Sequence, residues 1–431
     1  MADKRDILAL LRQEVAPAMG CTEPAAVALA AAYAASIFPG KAKSIELYVS
    51  SAVLKNGMRV GIPNTELVGL EIAAALGVCV KQPDKKLEVL ADLSKETILE
   101  ANQYLIDGCI KTYMKETSDK IWIEVRLGDG ENNCKAILRW RHSWLYRLEL
   151  GSTVLQHNEL ASSDIPKLAS PDAFSLSDYF EFCQNVSETD LEGIDLGLDM
   201  NRNIAEYGLH NVTGISVGKM IMDQMHSGLL GDDIHHYAMA LTAAATDARM
   251  SGCNLPVISN SGSGNQGLSV TLPIIAVAEK HGCERLKLVQ ALALGHLVSV
   301  HIKNKVGILS SLCGCLSAAS GAASGIVYLL GGDYLKVEYA IKNMIGNTAG
   351  MVCDGAKEGC SLKVATNTSA AVQAALLATA GICISSNDGI ITDDIDETIA
   401  NLAQFVNQGM DNADDTILNI MLKNNNRGCN V

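Results

Sequence analysis

The sequence predicts an α+β protein: an N-terminal mixed α/β domain, then a largely α-helical C-terminal domain of small-residue-rich packed helices. Three observations predict it. Strand-like and helix-like segments alternate before about residue 160, and strand signals fade after it. Aromatic residues make up only 4% of the chain, while Ala and Gly are abundant, so helices can pack backbone near backbone. The 431 residues allow two or three domains with a large core.

Residues 3–14 read as a short helix, and 23–38 as an Ala-rich one stopped by Pro39-Gly40. Residues 44–54 alternate like a strand, and Asn56-Gly57 is a hairpin signal. Residues 66–76 read as a helix with Gly77 as its stop. Residues 86–90, 120–127 and 134–140 read as strands, with a helix over 94–106. The stretch 161–177, rich in Ser, Pro and Asp, predicts a boundary between domains 1–165 and 166–431. Helices are expected over 232–250, 266–280, 284–301, 306–330, 334–351 and 361–380.

Composition excludes several classes of function. A formal net charge of -14 leaves no basic face for phosphates, which argues against nucleic-acid binding. Residues 306–332 and 364–387 carry no charge and are long enough to span a bilayer. Their Ser, Thr, Gly and Cys content, without aromatic belts or basic flanks, predicts buried core helices and no membrane partner. Thirteen cysteines and an N-terminus without an apolar signal core predict a cytoplasmic protein whose cysteines are thiols, catalysts or metal ligands.

Three constellations can carry chemistry. In Met19-Gly20-Cys21-Thr22-Glu23-Pro24 the Thr and Pro mark a helix start, where unpaired N–H groups and the positive end of the dipole favour a thiolate at Cys21. Glu23 opposes this unless it turns away, and a small buried thiol at a helix start is the plainer reading. Cys313, Cys353 and Cys360 form the second group, with Cys315 beside the first. Their spacing lacks the tight pairs of zinc knuckles and suits an iron–sulfur cluster better, with buried free cysteines as the alternative. Lys357 and Lys363 are placed to offset the negative charge of such a cluster. In the third, Ser261-Gly262-Ser263-Gly264-Asn265-Gln266-Gly267 leads into a helix. Successive N–H groups there could form a nest for a substrate carboxylate, or an ordinary interhelical loop. His235-His236 read as surface residues, and His301 as a weaker candidate leading into the cysteine helix.

Together these pieces resemble the bacterial and archaeal L-cysteine desulfidases, which belong with the serine-dehydratase-like alpha-chain proteins. The resemblance rests on residues 16–24, 261–267, Leu312-Cys313-Gly314-Cys315 and 350–357. It implies an oxygen-labile [4Fe–4S] cluster on Cys313, Cys353 and Cys360, with Cys315 as a competitor for the first place. It implies Cys21 as the catalytic base, with Thr22, Glu23 and Ser261, Gly262, Ser263, Gly264, Asn265 and Gln266 around a small amino-acid substrate. The expected reaction is β-elimination and deamination of L-cysteine or L-serine. Related iron–sulfur serine dehydratases also imply Cys429 as a fourth cluster ligand. A homo-oligomer is compatible with all of this. Two rivals remain open: a pyridoxal-phosphate lyase using Lys219, which lacks the tetraglycine loop, and a non-catalytic iron–sulfur sensor. The decisive expectation is geometric: Cys313, Cys353 and Cys360 must converge, with Cys21 facing them.

Overall fold

The computed structural model describes residues 4–63, 65, 67–159, 171–307, 309–410 and 412–428. The fold is α+β, as the sequence predicts. Helix α1 (Lys4–Glu14) is followed by the two-residue strand β1 (Pro17–Ala18), α2 (Thr22–Ile37), β2 (Ser44–Val49), α3 (Ser51–Gly57), α4 (Leu70–Val80) and α5 (Lys95–Ile106). Strands β3 (Ile110–Met114), β4 (Trp122–Gly128), β5 (Asn133–Arg139), β6 (Leu145–Leu150) and β7 (Thr153–His157) complete a six-stranded sheet of order β3-β2-β4-β5-β6-β7. Only β2 and β3 run parallel, and β2 pairs antiparallel with β4, Leu47 opposite Val125.

The sheet buries one face against α2 and α4. Ile45, Leu47, Val49, Ile123, Val125, Leu127, Ala136 and Leu138 meet the run Ala26–Ala32 of α2 and Ile72–Leu76 of α4. Small side chains let these helices approach one another closely. A Cβ on Gly77 would lie 2.1 Å from the carbonyl oxygen of Ala28. Gly77 is therefore a contact point inside α4 and not its stop.

The remaining helices are α6 (Leu176–Asn185), α7 (Glu192–His210), α8 (Val217–His226), α9 (Ile234–Met250), α10 (Gly264–His281), α11 (Arg285–Val306), α12 (Cys315–Leu329), α13 (Tyr334–Thr348), α14 (Cys360–Thr379), α15 (Ile395–Gln404) and α16 (Ala413–Gly428), with the short strand β8 (Val257–Ile258) before α10. Every residue of α12 is buried. Two of its hydroxyls are satisfied within the helix: Ser320 Oγ donates to the Leu316 carbonyl at 2.9 Å and Ser324 Oγ to the Ser320 carbonyl at 2.8 Å. Internal satisfaction lets a charge-free, hydroxyl-bearing helix sit in a protein core. Among the described residues no helix is long and apolar enough to cross a membrane.

Several expectations are corrected. Residues 51–57 are helical, so Asn56-Gly57 ends a helix and makes no hairpin; a short apolar run fits either period. Residues 83–88 form a 3₁₀ turn opened by Pro83, where a strand over 86–90 was expected. The helix expected from residue 306 begins only at Cys315, because Gly307 closes α11 at φ 102°. Strands β3, β6 and β7 and helices α6, α7, α8, α15 and α16 escape the sequence reading. Residues 161–170 of the expected boundary lie outside the described residues. Helix α1 packs its Ile7, Leu8, Leu10 and Leu11 into the core of the helical part, and Leu418 of α16 packs into the core beside the sheet.

Gly77→Ala should destabilise the chain by about 1–3 kcal/mol or more, the usual cost of overpacking. Denaturant titration of the variant beside the parent measures it, and equal midpoints would refute the contact.

Candidate functional site

The site forms where the N-terminal segment lies on the helical part. β1 pairs antiparallel with β8, Pro17 opposite Ile258. The Ser259 N–H donates to the Ala16 carbonyl at 2.8 Å and the Ser261 N–H to Glu14 at 3.0 Å. Gly20 turns the chain at φ 65°, with Pro63 so near that a Cβ would lie 2.5 Å from its Cγ. The turn delivers Cys21 as the residue capping α2. Thr22 Oγ1 then donates to the Gly262 carbonyl at 2.8 Å, tying the helix start to the Ser/Gly loop.

That loop is a tight turn at the head of α10. Asn260 and Ser263 exchange main-chain hydrogen bonds at 3.0 and 2.9 Å, and Ser261 and Gly262 have positive φ. Asn260 is gripped from below: its Nδ2 donates to the His296 carbonyl at 3.1 Å, and Ser299 Oγ donates to its Oδ1 at 2.9 Å. Burial pushes His296 down to about 3, so it is neutral. Ser263 caps α10 by accepting from the Gln266 N–H. The N–H groups of Ser261 and Ser263 are thus occupied, and the expected nest narrows to the first turn of α10, at Gly264 and Asn265. The Ser261 N–H is taken by a long-range bond to Glu14, which no local pattern signals, and the Ser263 N–H by the turn itself.

The cysteines come from three segments. An isolated antiparallel bridge joins Leu312 to Val352. The Cys313 N–H donates to the Met351 carbonyl at 2.9 Å and the Cys353 N–H to Ser311 at 2.7 Å. Cys313, Cys315 and Cys353 share one apolar cluster with Val364 and Met351. Cys360, first residue of α14, packs in the next cluster with Cys21, Val60 and Met250. The thiols are close enough to influence one another's ionisation: Cys313 and Cys353 raise Cys360, as does Cys21. Cys313, Cys315 and Cys353 thus lie together, with Cys360 and Cys21 in a neighbouring cluster. The Ser/Gly loop reaches the first group too, since a Cβ on Gly314 would lie 2.9 Å from the Gln266 Cδ.

Burial raises Cys353, and pushes Cys360 up to about 12. Cys313 is lowered, first by a hydrogen bond with Cys315 and further by Lys363 and Lys303, while Cys315 is raised by the same pairing. Lys363 is held by Asp354 and donates to the Val352 carbonyl at 2.8 Å. Lys357 pairs with Asp354. The sequence reading missed two buried lysines. Lys55 of α3 bonds Asp414 at 2.5 Å and the Cys353 carbonyl at 3.0 Å. Lys303 of α11 is lowered by burial and raised by Cys353 and Cys313.

Cys21 is raised, because burial outweighs Arg249, which lowers it, and Glu23 raises it further. This corrects the expectation that a helix start alone makes it a thiolate. Arg249, also missed, is buried at the end of α9. It donates to Asn265 Oδ1 at 2.9 Å and to the Gly20 carbonyl at 2.5 Å. Glu23 accepts from Asn56 Nδ2 at 3.3 Å.

His301 turns elsewhere, edge-on to Tyr179 and 3.8 Å from Asp396. His235 bonds Ser369 on α14 at 2.7 Å and is half-buried, not a surface residue. Lys219 pairs with Asp223 on its own helix. Cys429 lies outside the described residues. Among the described residues no three His, Cys, Asp or Glu side chains close on a single metal ion. A single ion needs donors about 2.3 Å from one point, whereas a four-iron cluster takes each thiolate on a different iron and spreads them apart. Buried thiols with lysines beside them suit an anionic cluster of that kind.

Residues 84–419 match the serine dehydratase alpha chain family. The chain belongs to that family. The match spans the Ser/Gly loop and all four clustered cysteines but begins after Cys21. Relatives cover that segment as well. A UPF0597 protein of Alkaliphilus oremlandii is 44% identical over 97% of this chain and 98% of its own. Another, of Parabacteroides distasonis, is 40% identical over 97% and 98%. One of Oleidesulfovibrio alaskensis is 42% identical over 96% of each. This serine-dehydratase-like chain is thereby placed among lyase-like enzymes.

Removing Lys55 would leave buried Asp414 with only the more distant, largely exposed Lys120, at 3.8 Å, to answer its charge. Lys55→Met should cost about 3–5 kcal/mol in unfolding free energy, and adding Asp414→Leu should recover part of it. A double-mutant cycle by denaturation measures the coupling, and additive losses would contradict a tight pair.

Proposed function

We propose that the protein is an iron–sulfur-dependent lyase that eliminates the β-substituent of L-cysteine, and of L-serine more weakly, giving sulfide or water, pyruvate and ammonia. What supports the reading is the placing of Cys313 with Cys353, and of Cys360 with Cys21, in neighbouring clusters beside the head of α10. A [4Fe–4S] cluster held by Cys313, Cys353 and Cys360 would supply, when bound, a Lewis-acidic iron for the departing sulfur or oxygen.

The chain's own residues account for the rest. The first turn of α10, with free N–H groups at the positive end of the dipole, favours the substrate carboxylate. Cys21 takes the α-proton as a thiolate. The electron pair of the Cα–H bond becomes the Cα–Cβ double bond, and the pair of the Cβ–S bond leaves with sulfur as sulfide. The enamine left behind tautomerises and hydrolyses to pyruvate and ammonia. Because Cys21 is raised above the usual thiol range, its thiolate fraction grows with pH. The limb of kcat/KM that reports this base should therefore rise through the alkaline range.

The test is anaerobic purification with iron reconstitution, then sulfide and pyruvate assays on cysteine beside serine. Cys21→Ala should keep its iron and cluster absorbance and lose at least ~100-fold in sulfide release, the usual contribution of a general base. A Cys21→Ala protein with undiminished release would end the mechanism, and a parent with cluster but no turnover would favour the sensor.

A further inference from the structure

The structure gives Arg249 a place that its local sequence does not explain. Its guanidinium lies across the head of the 18-residue helix α10. A Cβ on Gly264, first residue of that helix, would sit 2.3 Å from Nε and 2.7 Å from Cζ, so only glycine leaves room there for the cation. The residue is 5% exposed, and Nε has no hydrogen-bond partner among the described residues. Its bonded partners are neutral: the Asn265 amide oxygen, the Gly20 carbonyl, the Met250 sulfur and the Cys21 thiol. Among the described residues no carboxylate lies within ion-pair distance of it. A buried cation without an anion is costly, and the positive end of a helix dipole makes it costlier. Both features attract the same thing: an anion small enough to sit between the guanidinium and the N–H groups of Gly264 and Asn265.

We propose that Arg249 is the carboxylate-recognising residue of the site, so that the chain accepts α-amino acids with a free carboxylate and rejects the corresponding amines and amides. This rests on the lyase reading for its substrate class. Two neighbouring facts fit. The Gly20 carbonyl that Arg249 holds belongs to the residue before Cys21, so a carboxylate gripped by the planar fork has its Cα set toward the thiol. Gln266, in the first turn of α10, packs its amide against Gly314 and has an unpartnered Oε1, an acceptor suited to an ammonium group. Arg249 thus positions the substrate, and its charge also draws Cys21 toward the thiolate.

The experiment uses the full chain purified anaerobically and needs no turnover. Cys21 alkylation by iodoacetamide is followed by peptide mass spectrometry with L-alanine, which has the carboxylate but no leaving group, or with L-alaninamide. L-alanine should protect Cys21 and the amide should not. In Arg249→Gln the L-alanine concentration for half-protection should rise about tenfold or more, as for loss of a charged hydrogen bond, with Arg249→Lys between the two. In steady state, the preference of the parent for cysteine over cysteamine should narrow in Arg249→Gln, which a merely structural role would leave unchanged. Equal protection by amide and acid in the parent would overturn the proposal even if every variant misfolds. So would an unshifted protection curve in a folded Arg249→Gln. Protection by L-alanine without turnover of any amino acid would instead retain Arg249 and remove the lyase reading.

Discussion

The site depends on one main-chain junction. Four residues of the N-terminal segment, Glu14 to Pro17, lie against Ile258 to Ser261, joined by the β1–β8 pair and the bonds from Ser259 and Ser261. Such bonds are modest singly, about 1 kcal/mol net each. They fix direction and register, however, so the chain enters the Gly20 turn aimed at α9 and α10. Without the junction Cys21 would cap a helix of the sheet layer and have no reason to face cysteines more than 290 residues later in the sequence. Helix α1 strengthens it by packing into the helical core, so the junction is covered on one side by apolar contact.

A second constraint acts on the same place. Glycine sits wherever the segments must touch: Gly20 against Pro63, Gly264 under Arg249, Gly314 beside Gln266, and Gly355 against the Lys55 carbonyl. Each lets a loop or helix head approach within the radius of a missing methylene. The chemistry-bearing side chains are long or soft, while the backbones between them are bare, which packs five cysteines, two buried lysines and a buried arginine into a dense region.

How far the sequence showed this follows from the range of each signal. The helix start at Cys21, the Ser263 cap and the Cys353–Cys360 loop are announced within a few residues by Thr, Pro, Ser and Gly, and they could be read. Lys55, Lys303 and Arg249 could not. Arg249 looks like an ordinary basic residue in the last turn of a helix, where a cation complements the dipole. Only tertiary placement shows that it serves the opposite end of another helix. Strand β8 is two residues long, too short for any period, yet it decides which loop N–H groups remain free. The sheet edges β3 and β7 were missed for a related reason: their residues are half or fully exposed, so alternation between a buried and a wet face is weak.

Charge balance links the site to the stability of the fold. Lys55 is answered by Asp414 and Lys363 by Asp354. Lys303 is buried near Cys313 and Cys353 and Arg249 beside Cys21, and among the described residues neither has a carboxylate at ion-pair distance. Desolvating such a cation costs several kcal/mol, and neutral thiols return little of it. A bound anion returns much more. Most of the thiols are raised, so ionising them unaided is itself unfavourable in the folded chain, and an anion brought in from outside is what these cations lack. The folded chain gains stability as such an anion enters, because whatever binds the folded state alone shifts the folding equilibrium toward it. The buried cations that would receive an anionic group are the same ones that cost the fold stability when unanswered, and this ties anion binding to folding through electrostatics, with no moving part required.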